Sequence, residues 1–444
     1  MELKNMNIQQ LLAPEGFECR CGKTHCALPL RSLLIEQGAL NKLAGELRKL
    51  EVDNIFVVMG NNSQAVVGQT VTKILEKDGF EFSQICLHGR PKVLPNEVYL
   101  DIVSAACPEN ARFVLGVGSG VINDLCKMIA SARGIPCGIV ATAPSMDGYA
   151  SNSSAMELGG IKTTVYTTCP SLIVCDTDIL REAPFEMLSA GFGDMAAKLI
   201  SIADWKIASL ITGEYYCEEI AEMMTKAYSV VVCNVNKIAR RDEEAIRHMT
   251  EGLVLSGIAM SMAKVSRPAS GMEHTISHIL EMLAIARGAQ GSLHGLQVGY
   301  GVREALELYE KASSFTPTKT TCQAAADGFD EAAWEREMKT VFGKQAEELI
   351  ARAKEEERNA PQNILKRGLS AAEHWSEIKK VIEDVLSQKD AVNAALDKMN
   401  IPTLGEIEKL GYTKTEARAA VEHSRNLRAR YIFTSMCFDI GLNE

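Results

Sequence analysis

The sequence predicts an α/β protein, with an N-terminal Rossmann-like parallel-sheet domain followed by an all-helical C-terminal domain. Three observations carry this. Up to about residue 180, short apolar runs alternate with helical segments, as expected of parallel strands joined by crossover helices. Beyond Asp178 the texture changes to long stretches rich in Ala, Met, Leu, Glu and Lys, with helical periodicity and few strand-like runs. The length, 444 residues, is more than one core usually serves, so domains are expected at 1–180 and 181–444.

Taken in order, residues 54–59 (NIFVVM) read as a strand and 63–76 as a helix. A strand at 82–87 (FSQICL) precedes a helix at 97–107, and a strand at 112–117 (RFVLGV) precedes a helix at 122–133. Residues 135–141 (IPCGIVA) and 172–175 (LIVC) add two more strands. In the second half, 313–328 (SSFTPTKTTCQAAADG) reads as a loop by composition, and 331–358 and 371–399 as highly charged, exposed helices. There are no sustained heptads and no fixed-period repeats.

Hydrophobic residues make up 46% of the chain, enough for sizeable cores. The net charge of -10 argues against broad nucleic-acid binding and against adhesion to anionic lipid, since both need a basic surface. It leaves room for an anionic small substrate at a locally basic site. No apolar run approaches the ~18 residues of a membrane span. The opening MELKNMNIQQLLAP lacks the basic and apolar regions of a signal peptide. Thirteen scattered cysteines suit reduced thiols, so a cytoplasmic location is expected, with neither membrane nor nucleic acid as partner.

Four constellations carry candidate chemistry. The first, 116–124 (GVGSGVIND), leaves a strand and enters a helix. Glycines there let the backbone approach an anion, and the helix N-terminus offers N–H groups to a diphosphate. A tight strand-to-helix turn without a ligand reads equally well, because the spacing is not GxGxxG. The second, 141–151 (ATAPSMDGYAS), crowds Thr142, Ser145, Asp147 and Ser151 into one loop after a strand. By itself it reads more readily as a polar turn with capping residues.

The third joins 191–194 (GFGD), read as opening a helix with Lys198 one turn on, to 271–278 (GMEHTISH) and 291–295 (GSLHG). His274 and His278 are i,i+4 and share a helix face. Two His and one Asp make a three-ligand set for a divalent cation with a position left open. Core histidines and an N-cap aspartate are the alternative reading. The fourth is 19–26 (CRCGKTHC), where Cys19, Cys21, His25 and Cys26 could bind zinc; a small hairpin with unmetallated thiols is the plainer choice.

In this order the motifs resemble the glycerol-1-phosphate dehydrogenase family. It belongs to the wider group of glycerol dehydrogenases, iron-type alcohol dehydrogenases and dehydroquinate synthases. The resemblance covers about 30–310 and about 417–442, while 311–400 looks expanded. The TAPSMDGYAS loop is its most specific marker. The resemblance implies that Gly118, Ser119, Gly120, Val121 and Ile122 bind the diphosphate of NAD or NADP. It implies that Thr142, Ala143, Pro144, Ser145 and Ser151 contact the dinucleotide. Asp194, His274 and His294 are the implied ligands of one divalent ion (zinc, nickel or iron). Asp147 and His278 are the implied catalytic, substrate-contacting residues.

The implied reaction interconverts dihydroxyacetone phosphate and sn-glycerol 1-phosphate, a small phosphorylated polyol, in a homodimer. The enantiomer rests on the resemblance alone. Arg267 and Lys162 are candidates for the substrate phosphate by charge, with solvated surface residues as the alternative. A glycerol or other alcohol dehydrogenase, and a dehydroquinate synthase-like lyase, are the other enzymatic readings; the absence of the lyase branch's basic cluster counts against the latter. A non-catalytic nucleotide-binding protein would not need the metal set. Relatives commonly place an Asp after the first strand, where this chain has Gly60 followed by Asn61 and Asn62. The loss of that carboxylate leaves the choice between NAD and NADP open.

Overall fold

The structure is a computed structural model that describes all residues except 1, 2, 13–15, 26, 27, 90, 91, 160, 443 and 444. Cys26 therefore lies outside the described residues. Among the described residues ten strands follow in chain order: β1 Phe17–Glu18, β2 Thr24–His25, β3 Ser32–Glu36, β4 Ile55–Gly60, β5 Phe82–Leu87, β6 Phe113–Gly118, β7 Cys137–Ala141, β8 Ser153–Leu158, β9 Ile161–Tyr166 and β10 Leu172–Asp176. Six helices matter below: α1 Gly120–Arg133, α2 Phe185–Ala196, α3 Lys198–Thr212, α4 Glu243–Ala263, α5 Met272–Ala286 and α6 His294–Ser313. The chain forms two compact units. One comprises Met1–Met195 with Glu219–Ser266, the other Ala196–Glu218 with Arg267–Glu444.

The first unit is built on a six-stranded sheet in the order β3-β10-β7-β6-β4-β5, parallel throughout. Its central strands β4, β6, β7 and β10 are buried at every residue, which is why they read as continuous apolar runs. Leu43, Leu47, Val57, Val71, Phe113, Leu115 and Val174 belong to one buried cluster. The chain passes from β4 outward to β5, then crosses back to β6 on the other side of β4. Ligands of open α/β sheets bind at such a reversal, outside the carboxyl ends of the strands.

The parallel sheet and the helical second half are as expected. Three details differ. The sequence reading has no strand at 32–36, yet β3 forms the sheet edge on β10, a partner some 140 positions away whose pairing no local pattern announces. It also lacks the antiparallel hairpin β8–β9 outside the main sheet. The stretch read as a loop contains the helix Lys319–Asp327: Pro317 stays outside its start, the Thr318 hydroxyl caps the Thr321 N–H at 3.1 Å, and Cys322 and Ala326 are buried.

The second unit contains only helices among the described residues. Its charged segments are not wholly exposed. Helix Glu331–Phe342 buries Trp334, Met338 and Phe342, and helix Trp375–Leu386 buries Trp375, Ile378, Ile382 and Val385. Both are apolar at three- and four-residue spacing, so one face packs while the charges stay in water.

Candidate active site

In the first unit three strand ends stand side by side. Met59 pairs with Val117 and Gly118 with Ala141, so the chain leaves the sheet at Gly60, Gly118 and Ala141 along one edge. The Ser63 hydroxyl ties the first two exits together: it accepts from the Gly60 N–H at 3.0 Å and donates to the Val117 carbonyl at 2.6 Å. Thr142 N–H donates to the Gly118 carbonyl at 3.0 Å.

The turn Gly118–Ser119–Gly120 then enters α1 with Ser119 as N-cap. The first i→i−4 bond of the helix is made by Asn123 N–H to Ser119 O at 3.0 Å. The N–H groups of Gly120, Val121 and Ile122 thus sit in the first turn, ahead of that ladder, where an anion is favoured. Glycine is required by close packing. A Cβ on Gly118 would lie 2.6 Å from Ile122 Cγ1, and one on Gly120 would lie 3.0 Å from Met146 Cγ. A bare turn that leads into a helix N-terminus is the backbone arrangement a diphosphate would need.

The loop after β7 is stiffly held. Lys127 of α1 is fully buried; its ammonium donates to Gly148 O and Ser151 Oγ, both at 3.2 Å, and to Ser153 O. It also pairs with Asp124 at 3.1 Å. The Ser151 hydroxyl is occupied within the loop, against Gly148 O and Ser153 O at 3.0 Å each. The Tyr149 hydroxyl donates to Ala143 O at 2.6 Å, while Ser145 and Pro144 complete the turn. Sequence reasoning passed over Lys127; a lysine in the middle of the apolar run of α1 is the signal that it is buried and paired.

Asp147 is buried, and its Oδ2 accepts from Ser256 Oγ of α4 at 2.9 Å. Its own N–H donates to Asp194 Oδ2 at 3.2 Å, tying the loop to α2. Asp194 does not open a helix, as its Gly-Phe-Gly prelude suggested. It lies in the last turn of α2, which begins at Phe185, so it is not an N-cap. Gly191 explains the prelude: a Cβ there would stand 1.8 Å from Pro144 O. We expect Gly191→Ala to cost about 1–3 kcal/mol through overpacking and to shift the loop. The check is a lowered thermal midpoint together with a raised dinucleotide Kd; unchanged values for both would show that the loop yields freely.

In the second unit, His274 and His278 lie one turn apart on α5, and His294 is the first residue of α6. The His294 ring centroid is 5.3 Å from that of His274 and 5.6 Å from that of His278. Close helix packing at Gly301, where a Cβ would meet Glu273 O at 2.5 Å, sets this spacing. His274 Nδ1 lies 2.8 Å from Glu273 Oε1. Oε1 also accepts from the Gly271 N–H, so it is an acceptor toward the imidazole as well; Nδ1 carries the hydrogen and Nε2 is the unprotonated nitrogen.

His294 follows the same logic. The Ser277 hydroxyl donates to Gln297 Oε1 at 3.2 Å and can only accept from His294 Nδ1, also at 3.2 Å. Here too Nε2 is left as the ligand atom. His278 differs. Its Nδ1 stands 3.6 Å from Glu281 Oε2, beyond hydrogen-bond range, and burial, reinforced by the charge of Arg428, drives its pKa down to about 3. It is a neutral imidazole at pH 7.

The start of α5 is braced by two buried carboxylates. Gly271 N–H donates to Glu273 Oε1 and Met272 N–H to Asp204 Oδ2, both at 2.8 Å. Burial pushes Asp204 up to about 7, with the Glu273 charge adding to it, and burial pushes Glu273 up to about 7. Arg267, expected as a solvated residue unless it binds phosphate, is buried and paired with Glu214. Lys162 lies on β9.

Residues 34–184 match the model of a family described as iron-containing alcohol dehydrogenase. The chain is 30% identical over 322 residues to a glycerol-1-phosphate dehydrogenase [NAD(P)+] of Geobacillus stearothermophilus, covering 72% of this chain and 79% of the relative. It is 33% identical over 295 residues to one from Halalkalibacterium halodurans, covering 66% and 74%. The fold is similar to that of an iron-containing alcohol dehydrogenase from Thermococcus thioreducens. There the TM-score is 0.61 at 14% identity, over 93% of this chain and 98% of that one.

Proposed function

This chain belongs to the glycerol-1-phosphate dehydrogenase family of iron-containing alcohol dehydrogenases, and from that premise we propose that it interconverts dihydroxyacetone phosphate and sn-glycerol 1-phosphate with NAD or NADP. Residues 1–180 are the dinucleotide-binding domain in this reading, and 181–444 the metal- and substrate-binding domain. Asp194, His274 and His294 hold one divalent ion. The observation that carries this is the pair of imidazoles, His274 and His294, whose Nδ1 atoms are both engaged so that both present Nε2. Chain continuity supports the third ligand. Asp194 is one turn of chain before Lys198, whose ammonium donates to Ala269 O at 3.0 Å, two residues ahead of Gly271, which precedes α5.

When bound, the cation polarises the substrate carbonyl and the reduced nicotinamide supplies hydride. The chain's own residues do the rest. Gly118–Ile122 present backbone N–H groups to the diphosphate, and the loop of Thr142, Ala143, Pro144, Ser145 and Ser151 sets the dinucleotide's position. Ser256 aims the Asp147 carboxylate by hydrogen-bonding Oδ2, and the carboxylate orients a substrate hydroxyl. His278, neutral at pH 7, can orient a substrate hydroxyl by hydrogen bonding. A reduced, cytoplasmic homodimer is the setting we assign, on the cysteine usage and the family resemblance. Among the described residues no helix is long and apolar enough to cross a membrane.

The deciding assay follows NADH and NADPH oxidation with dihydroxyacetone phosphate beside unphosphorylated dihydroxyacetone. Preference for the phosphorylated ketone is expected. Equal rates would favour a plain glycerol dehydrogenase, and no oxidation of either would overturn the reading.

Cofactor choice gives a second test. Gly60 ends β4 beside the diphosphate turn, and a Cβ there meets nothing nearer than Ile122 Cδ1 at 3.7 Å. A carboxylate at this position accepts from ribose hydroxyls and repels a 2′-phosphate; with glycine and two asparagines that repulsion is missing. The native protein is expected to use both cofactors. Gly60→Asp, which the space accommodates, should selectively lower kcat/KM for NADPH. A native preference for NADH of about a thousandfold, some 4 kcal/mol, would show that another group excludes the phosphate.

A further inference from the structure

The motif 19–26 plays no part in the chemistry above, yet its geometry is that of a built site. β1 and β2 pair antiparallel, Phe17 opposite His25 and Glu18 opposite Thr24. Between them the chain turns tightly: Gly22 N–H donates to Cys19 O at 3.0 Å, and Cys19 N–H to Lys23 O at 3.1 Å. Gly22 takes φ +81°, a left-handed conformation that a side chain would strain. The turn folds Cys19 and Cys21 back over His25, so that one ligand atom from each lies within 4.8 Å of the others.

The imidazole is oriented as a ligand. His25 is 1% exposed, and its Nδ1 is 3.1 Å from the Met262 carbonyl, which can only accept. Nδ1 therefore carries the hydrogen and Nε2 is left with its lone pair, 3.7 Å from Cys21 Sγ. A sulfur and a nitrogen bound to one tetrahedral zinc at ~2.3 and ~2.05 Å stand roughly 3.6 Å apart. The hairpin is itself anchored to the rest of its unit. Arg20, between the two cysteines, pairs with Glu219 at 3.5 Å, and Leu3 N–H donates to the same carboxylate at 3.0 Å.

We propose that Cys19, Cys21 and His25 hold a zinc ion. Two thiolates and an imidazole are a soft donor set that suits zinc. Its role is to pin the N-terminal hairpin. The rest of the chain already meets that hairpin at Met262 of α4 and at Glu219.

The test uses the intact protein. Zinc-loaded native protein is expected to carry two ions per chain, and Cys19→Ser and Cys21→Ser one each. With cobalt in place of zinc, the native protein should show thiolate-to-cobalt charge-transfer absorption. His274→Ala should keep that absorption, since no sulfur belongs to the catalytic set, and Cys21→Ser should lose most of it. Should the cysteine variants fail to fold, titrating native protein with a mercurial must release one zinc per chain. A native protein with one ion, no sulfur-to-cobalt absorption and no mercurial-released zinc overturns the proposal.

Discussion

Removing the divalent cation from the Asp194, His274 and His294 set, by a carboxylate chelator followed by dialysis, is expected to lower turnover of dihydroxyacetone phosphate at least a thousandfold. Polarising a carbonyl oxygen with a cation contributes several kcal/mol of transition-state stabilisation, and ~4 kcal/mol corresponds to that factor. Zinc, nickel or ferrous iron should each restore activity, because one carboxylate and two imidazoles suit all three. Structure should survive the treatment, since α5 and α6 are packed through Gly301 and braced by Asp204 and Glu273 without help from a metal. The measurement is steady-state kcat before stripping, after stripping, and after each metal is returned, with metal content verified at every stage. Full activity in verified metal-free protein would falsify the mechanism. A thiolate-held zinc at Cys19 and Cys21 is far less open to such a chelator, so metal content should drop by one ion rather than to zero.

The second large effect separates three histidines that sequence spacing leaves alike. His274→Ala and His294→Ala are each expected to lose the catalytic metal and nearly all of kcat. His278→Ala should keep the metal and still lose activity. The ground is the hydrogen bonding at Nδ1. His274 and His294 are each locked there, by Glu273 and Ser277, and each presents Nε2; His278 is beyond hydrogen-bond range of Glu281. Glu273→Gln should then weaken metal affinity by ~10–100-fold while leaving the three histidines in place, because an outer partner that fixes a ligand's orientation is worth about that much. Metal analysis of the purified variants, with circular dichroism to confirm folding, decides the matter. Metal lost from His278→Ala and retained in His274→Ala would reverse the roles.

Much of this was legible in the chain. The buried strands NIFVVM, RFVLGV and IPCGIVA announce themselves because a parallel strand covered on both faces is apolar at every position. The glycines of 116–120 and the i,i+4 histidines are equally plain, being local patterns on one turn or one helix. What stayed hidden was whatever depends on a distant partner. β3 is a strand because β10 lies beside it. Glycine at 191 is required by the carbonyl of Pro144, 47 positions earlier, so GFGD read as a helix start when it is the end of one. Lys127 is buried because three oxygen atoms of a loop more than twenty residues on receive its ammonium. The N-terminal cysteines show the same division. Their spacing along the chain offers two thiols, a histidine and a neighbouring Cys26. Only the folded chain brings the Met262 carbonyl to His25 Nδ1, so that Nε2 faces the Cys21 thiol. The sequence by itself determined the fold class and the chemical types at the site, since both follow from hydrophobic periodicity and side-chain identity. Tertiary structure alone decided which imidazole nitrogen is available and which glycine is indispensable, since those depend on atoms that meet only when remote segments pack.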